Sequence, residues 1–391
     1  MSTTVFDREI NRYQTNSTKW DDADYLYHAE NVLPFWIADM DFLSPSPVLE
    51  ALAARLNHGI FGYPSGRQLG FDALASWLQK RHGWTIDPSL VVSTPGICTA
   101  LSIAVQTFSE PGDKVIIQTP VYPPFFAVVN DNNRTLIENP LISDESGYHI
   151  DFDDLAKKAV DAKILILCSP HNPVGRVWSK TELRRIADIC LANNVLILSD
   201  EIHSDLIYAG RHTPLASLSP DIAAQTITCV APSKTFNTAG LQASAIIFSN
   251  PKLQAPFEAA VQRLHIAKSN VLGITALQAA YRYGEPWLEE LLPYLDANVE
   301  LIIDTLTTKT PKIKLHRPEG TYLAWLDCRE LGLPQPELRR FFAEEARVGL
   351  NDGATFGTQG VGFMRFNFGC PKATLQKGLD RIATAYEKRG F

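Results

Sequence analysis

The sequence predicts an α/β protein: a large domain on a mostly parallel sheet, followed by a smaller α+β unit. Three observations predict it. Short apolar runs of strand type alternate with amphipathic helical segments across the first two thirds of the chain, the pattern of buried parallel strands joined by crossover helices. Near Gly284-Glu285-Pro286 that alternation gives way to a long apolar stripe at helical spacing. Finally, 391 residues exceed what one core organises, since single cores stop growing near roughly 250–300 residues.

The elements follow in order. Residues 1–45 read as an irregular arm joining the smaller unit, rich in Asp, Asn and aromatics and ending at Ser44-Pro45-Ser46-Pro47. A helix over 48–56 places Leu49, Leu52, Ala53 and Leu56 on one face. A loop at 61–66 precedes a second amphipathic helix over 70–82. A strand at 91–93 turns through Thr94-Pro95-Gly96 into a helix over 97–108. Further strands are expected at 114–118, 163–167, 195–198, 226–230 and 245–248. The helix over 180–193 opens with Ser179 and has Glu182 three residues on, a capping box. Leu288, Leu291, Leu295, Val299, Ile302 and Leu306 then keep helical spacing, and Pro293 within them predicts a kink or two helices. Strands at 321–327 and 363–368, with helices over 335–346 and 372–388, complete the smaller unit. The expected boundaries are therefore 1–45, 46–286 and 287–391.

Composition narrows the function classes. Hydrophobic residues make up 45% and charged residues 20%, and mean hydropathy is −0.07, as in ordinary globular proteins. Net charge is −7, and no basic block suggests a nucleic-acid or membrane partner. Cys98, Cys168, Cys190, Cys229, Cys328 and Cys370 are scattered without a C-x-x-C pair, so buried thiols in a reducing compartment are expected. The first residues lack the basic and apolar regions of a secretory signal. No run reaches the roughly 18 apolar residues of a membrane span. A soluble cytoplasmic enzyme for a small molecule is the expectation, with no metal site.

Chemistry concentrates at the ends of three predicted strands. Asn172 lies in Ser-Pro-His-Asn-Pro-Val-Gly (169–175), Asp200 in Leu-Ser-Asp-Glu-Ile-His (198–203) and Lys234 in Pro-Ser-Lys-Thr-Phe-Asn (232–237). Open α/β sheets bind ligands outside the carboxyl ends of their strands. An amine, a carboxylate and an amide gathered there suit pyridoxal phosphate. Lys234 bonds its aldehyde carbon and later moves the substrate's α-proton, Asp200 keeps the pyridine nitrogen protonated, and Asn172 donates to the phenolic oxygen. Each alone has a plainer reading: a solvated lysine, a helix-capping aspartate, a turn-forming Asn-Pro. The three together favour the site.

Other residues extend it. The helix start at Gly96, Ile97 and Cys98 leaves amides open to a phosphate, and Ser233 adds a hydroxyl. Tyr122 is placed to stack on the cofactor, with a core aromatic as the alternative. Arg365 is a lone arginine in an apolar strand and suits a substrate carboxylate, with a structural ion pair as the alternative. His203 reads equally as a cofactor neighbour or as a satisfied buried histidine. The Cys98 thiol reads as packing, Asp39 and Asp41 as loop and capping residues, and His171 as decoration of its loop.

With Phe-Gly-Tyr (61–63), Thr-Pro-Gly (94–96), Thr-Pro-Val-Tyr (119–122) and Arg-Phe-Asn-Phe (365–368), these motifs resemble the fold-type I pyridoxal phosphate enzymes, class I and II aminotransferases, over essentially the whole chain. Within that group Trp-Ile-Ala-Asp-Met-Asp-Phe (36–42), His203 and Asn-Phe-Gly-Cys-Pro (367–371) are most similar to the cystathionine β-lyase or cysteine C–S lyase subgroup. The resemblance implies the fold-type I transferase fold and a homodimer with shared active sites. In it Tyr63 reaches the partner's cofactor phosphate, ordinary packing being its alternative. Backbone at Ile37 and Ala38 helps to hold the substrate carboxylate. Three positions depart from the wider family: His203 replaces a tyrosine, Gln242 a phosphate-binding arginine, and Ala231 a serine. The expected activity is a carbon–sulfur β-lyase that converts cystathionine or cysteine S-conjugates to thiol, pyruvate and ammonia. The alternatives are an aminotransferase using the same residues and a protein of this fold with a mainly regulatory role.

Overall fold

The structure, a computed structural model, describes residues 4–65, 69–267 and 269–391. The loop expected at 61–66 thus ends, at Gly66, outside the described residues. The chain divides into two compact units. Ser44–His171 with Arg176–Glu289 form the larger, and residues up to Leu43, Asn172–Gly175 and Glu290–Phe391 form the smaller.

The larger unit is built on a seven-stranded sheet of β1 (Val91–Thr94), β2 (Lys114–Ile117), β3 (Thr135–Glu138), β4 (Ala162–Cys168), β5 (Leu196–Asp200), β6 (Thr226–Val230) and β7 (Ser244–Phe248). Their order is β1-β7-β6-β5-β4-β2-β3. Every pairing from β6 to β3 is parallel, whereas β7 runs antiparallel to both of its neighbours. Ile164, Leu165, Ile166 and Leu167 are all fully buried. A strand covered on both faces must be apolar in both directions, which accounts for the unbroken run in β4. Each such side chain contributes on the order of 1.5–3 kcal/mol on burial.

Helices α1 (Ser46–His58), α2 (Phe71–His82), α3 (Ile97–Phe108), α4 (Lys180–Ala192) and α5 (Val271–Tyr283) belong to this unit. Along α3, Ile97, Ala100, Leu101 and Ala104 are buried and join one core cluster with Val115, Ile164, Ile166 and Leu198. That is one face of a helix laid on the sheet. The α4 capping box forms: Glu182 N–H donates to Ser179 Oγ at 3.2 Å and Ser179 N–H to Glu182 Oε2 at 2.8 Å. Among the strands, the edge strand β3 and the hairpin Ile142–Asp144 with Gly147–His149 were not expected.

In the smaller unit, β8 (Lys314–Leu315), β9 (Leu323–Asp327), β10 (Asn351–Asp352) and β11 (Phe363–Asn367) form an antiparallel sheet in the order β8-β9-β11-β10. Leu33–Pro34 pairs in parallel with Val348–Gly349. The arm expected to be irregular holds short helices at Thr18–Asp21 and Ala23–Tyr27. Helix α6 (Glu285–Lys309) is unbroken through Pro293, where a kink or two helices were expected. Leu288, Leu291, Leu295, Val299, Ile302 and Leu306 are all buried, and burying that continuous stripe outweighs the one N–H bond that proline removes. The helix expected over 335–346 instead turns from α at Gln335–Arg340 to a wider π turn at Phe341–Glu345, which buries Phe341, Phe342 and Ala343. Helix α7 (Lys372–Arg389) ends the chain's regular structure. Among the described residues no helix is long and apolar enough to cross a membrane.

Gly284, between α5 and α6, ties this scaffold to the turn that carries Lys234. A Cβ there would meet the Ala280 carbonyl oxygen and Phe236 Cε1, each at 2.5 Å, and Phe236 is fully buried. Gly284→Ala is expected to lower unfolding stability by about 1–3 kcal/mol. Urea unfolding measures it, and a midpoint equal to wild type would refute the packing argument.

Candidate active site

Three adjacent parallel strands, β6, β5 and β4, bring their carboxyl ends together at Val230, Asp200 and Cys168. Asp200 is the last residue of β5, in register between Cys168 and Cys229, and only 5% exposed. Its Oδ1 accepts from Ile202 N–H at 3.2 Å. Burial pushes its carboxyl up to about 7; the Ile202 bond and the Lys234 ammonium work against this, and the Glu201 charge adds to it. Such a group holds a negative charge comfortably only beside a further cation.

Lys234 lies half-buried in the single turn Pro232–Thr235 that follows β6. Its charge acts on Cys98 as well as on Asp200. Burial, then the Asp200 charge, pushes the Cys98 thiol up, and a hydrogen bond with Tyr122 pulls it back. Cys98, Tyr122, Asp200 and Lys234 thus share one locus. The Cys98 side chain was expected only to pack, yet it holds the Tyr122 hydroxyl.

At the start of α3 no side chain caps the first amides. Gly96 is extended there, and a Cβ on it would meet no heavy atom within 4 Å. Room and open donors coincide at a positive helix end. Ser233 is half-buried and His203 buried, whereas Gln242 and Tyr63 are exposed. An amine, a buried carboxyl short of a cation and an uncapped helix start with space before it fit pyridoxal phosphate, whose aldehyde, pyridine nitrogen and phosphate match them in turn. Among the described residues no cluster of His, Cys, Asp and Glu is placed to hold a metal ion.

The smaller unit builds a second set around Arg365, on β11 and 4% exposed. Its Nη1 donates to Asn172 Oδ1 at 3.0 Å, and its Nη2 to Trp36 O at 2.8 Å and Asn351 Oδ1 at 2.5 Å. Its guanidinium carbon lies 5.0 Å from the centroid of the Phe356 ring. All three of these acceptors are neutral and orient the guanidinium. Asn172, 4% exposed, therefore spends its oxygen on Arg365.

The segment at Ile37 and Ala38 is held by its carbonyls. Asn367 Nδ2 donates to Ile37 O at 2.5 Å and Asp39 O at 2.6 Å, and the Tyr322 hydroxyl to Ala38 O at 2.8 Å. Sequence reasoning had not picked out Asn351, Phe356 or Tyr322, and had named Asn367 only within family motifs, without a role. Asn367 was findable: it lies two residues after Arg365 in a strand, hence on the same face.

Two expectations are corrected here. Asp39 and Asp41 are members of an ion-pair cluster rather than loop and capping residues. Asp41 takes Lys19 Nζ at 2.7 Å, Arg12 Nη1 at 2.6 Å and Trp20 Nε1 at 2.8 Å, and Asp39 takes Arg12 Nη1 at 2.9 Å. Lys19 is 1% exposed, and a buried ammonium needs such partners. His171 is fully buried rather than loop decoration, with Nε2 bonded to Pro120 O at 2.8 Å. Burial lowers it to about 4, so it stays neutral.

A family model described as aminotransferase class I and II matches residues 18–382. The chain is 47% identical over 383 residues to cystathionine beta-lyase PatB of Bacillus subtilis, covering 97% of this chain and 99% of PatB. Among solved structures, cystalysin of Treponema denticola, which contains a pyridoxal 5'-phosphate cofactor, gives a TM-score of 0.95 at 36% identity, covering 98% of this chain and 99% of that one. The pyridoxal phosphate-bound C–S lyase of Staphylococcus hominis gives 0.91 at 35% identity, over 98% of each chain.

Asp200 also sets a pH dependence. Folded, its carboxyl keeps a proton up to about 7, whereas an unfolded aspartate loses it near ~3.9. Between those values the folded state binds the extra proton. Its contribution to ligand-free stability is therefore full below about pH 4 and is lost as pH rises through about 7. Asp200→Asn cannot ionise, so ligand-free wild type should lose melting temperature relative to this variant as pH rises from about 5 to about 8. Parallel melting curves across that range would contradict the assignment.

Proposed function

The chain belongs to the aminotransferase class I and II family, and on that premise we propose that it is a pyridoxal phosphate-dependent carbon–sulfur β-lyase acting on cystathionine or a related S-substituted cysteine. One observation carries the reading. The 47%-identical relative PatB, named for that reaction, matches 97% of this chain, and in this chain Lys234 and Asp200 meet at the strand ends. Bound, pyridoxal phosphate supplies an electron sink conjugated to the substrate's α-carbon.

The chain's own residues do the rest. Asp200, unable to carry its charge alone in a buried setting, stabilises a proton on the ring nitrogen. Lys234 would attach the cofactor, and its amine, freed when substrate binds, would take the α-proton. The uncapped amides at Gly96, Ile97 and Cys98, with the Ser233 hydroxyl, hold the phosphate. Tyr122, oriented by its bond to Cys98, would stack on the cofactor, with Asn172 and His203 as further contacts. Arg365, oriented by neutral acceptors, would take the substrate carboxylate in its two-pronged grip, with the backbone at Ile37 and Ala38 alongside. Thiolate leaves from Cβ, and the three-carbon remainder hydrolyses to pyruvate and ammonia.

The proposal includes a homodimer in a reducing, cytoplasmic setting. Leu49 and Leu56 on α1 and Ile60, Phe61 and Tyr63 after it are all exposed, an apolar surface suited to a second copy. Tyr63 from this surface reaches the partner's cofactor phosphate. No two of the six cysteines form a disulfide.

Purified, cofactor-loaded protein should release pyruvate and thiol from L-cystathionine with no keto acid added, and Lys234→Ala should lose at least ~10³-fold of that rate. Amino-group transfer that requires a keto acid, without pyruvate, would make the protein an aminotransferase instead. Arg365→Lys should raise KM for the amino acid about 10–100-fold with kcat much less changed, because a point charge replaces a fork. An unchanged KM would remove Arg365 from the carboxylate site.

A further inference from the structure

Behind Asp200 and Lys234 lie two buried carboxylate–imidazole pairs that the proposed chemistry does not use. Asp205, 4% exposed, accepts from Thr235 Oγ1 on Oδ2 at 2.9 Å, and on Oδ1 from Trp77 Nε1 at 3.0 Å and His82 Nε2 at 2.9 Å. Arg81 Nε approaches the same oxygen at 3.5 Å. Glu201, 1% exposed, accepts on Oε1 from Ser199 Oγ at 2.9 Å and Leu215 N–H at 3.0 Å, and on Oε2 from His212 Nε2 at 2.8 Å. The two imidazoles meet edge to face, their centroids 5.3 Å apart. One contiguous cluster results. Its two ends adjoin the site along the chain: Thr235 follows Lys234, and Glu201 follows Asp200.

Stability alone does not explain this cluster. A buried ion pair gains little over well-packed apolar side chains of similar size, although removing one partner is costly because a charge is left behind. Its effect is geometric. The Lys234 turn is closed by Phe236 N–H to Pro232 O at 2.8 Å and Thr238 N–H to Ser233 O at 3.1 Å, and a single turn has little rigidity of its own. Thr235, 1% exposed, anchors that turn to Asp205. The His82, Arg81 and Thr235 contacts hold the Asp205 carboxyl below its usual range despite burial, which acts first and in the opposite direction. Other charged or titratable groups facing the cluster are Tyr281 beside Asp205, Cys229 beside Glu201, and Glu289, which bonds Arg81 at 2.6 Å.

We propose that Asp205–His82 and Glu201–His212 act as one positioning unit. Asp205 sets, through Thr235, the orientation of the turn that presents Lys234, and Glu201 sets the end of β5 that presents Asp200. The inference rests on the reading of Lys234 as the point of cofactor attachment.

The test compares the cofactor-loaded enzyme with Thr235→Val, Thr235→Ser, His82→Gln and His212→Gln. The readouts are the pH midpoint of the bound cofactor's visible absorbance, which reports the environment of Lys234 and Asp200, together with kcat and KM. Thr235→Val should move the midpoint by about half a unit or more and lower kcat about tenfold, with KM within about twofold. Thr235→Ser should restore both, and His82→Gln and His212→Gln should each move the midpoint. A wild-type midpoint and kcat in Thr235→Val overturns the proposal, as does equal impairment in Thr235→Ser. Should Thr235→Val not fold, the histidine variants decide: shifted midpoints sustain the unit, and wild-type midpoints in both overturn it. Lys234→Ala serves as control. A wild-type pH midpoint that survives there defeats the reading of Lys234, and with it this proposal, whereas an unchanged Thr235→Val beside a midpoint lost in Lys234→Ala defeats the proposal alone.

Discussion

The structure of the larger unit turns on one constraint: a carboxylate placed at the end of a strand buried on both faces. Asp200 follows Leu196–Ser199, all buried, so its side chain emerges where water cannot solvate it. Left alone it would stay protonated. What surrounds it lowers that cost by degrees: an Ile202 amide on one oxygen, a lysine within electrostatic reach, and, in the proposed holoenzyme, a protonated ring. The same apolar packing that makes the sheet stable makes this residue reactive toward a cation. Sheet stability and cofactor chemistry therefore share one cause.

The smaller unit solves the opposite problem. Arg365 also lies in a buried strand, and the neutral oxygens of Asn172, Trp36 and Asn351 accept from it and align the guanidinium. A carboxylate in any of those positions would instead neutralise the guanidinium. Beneath the neighbouring segment, Lys19, Arg12, Asp39 and Asp41 neutralise one another.

Much of this was legible in the sequence. The strand ends carrying Asp200 and Lys234 follow unbroken apolar runs, a pattern that only a doubly covered sheet requires, and the motifs at 169–175, 198–203 and 232–237 carry their chemistry locally. What stayed hidden depends on contacts distant in sequence. Nothing near Lys19 announces that it will be buried against Asp41, and Asp205 reads as an ordinary surface aspartate until Trp77, His82 and Thr235 converge on it. Strand β3 was hidden for another reason: an edge strand of four residues, none fully buried, leaves little apolar pattern to detect. At Pro293 local propensity was a poor guide because it competed with a long buried stripe and lost.

The pairing of Leu33–Pro34 with Val348–Gly349 has a consequence for how the chain comes into being. Leu33–Pro34 is synthesised long before its partner strand, with the sequence of the larger unit between them. Until then the ribosome has already delivered the whole of the larger unit, which can fold on its own local crossovers. The N-terminal segment, with Phe35, Met40 and Phe42 destined for burial, waits unshielded through that interval. Contacts of such long sequence separation form late, because the entropy of closing the loop between them must be overcome first.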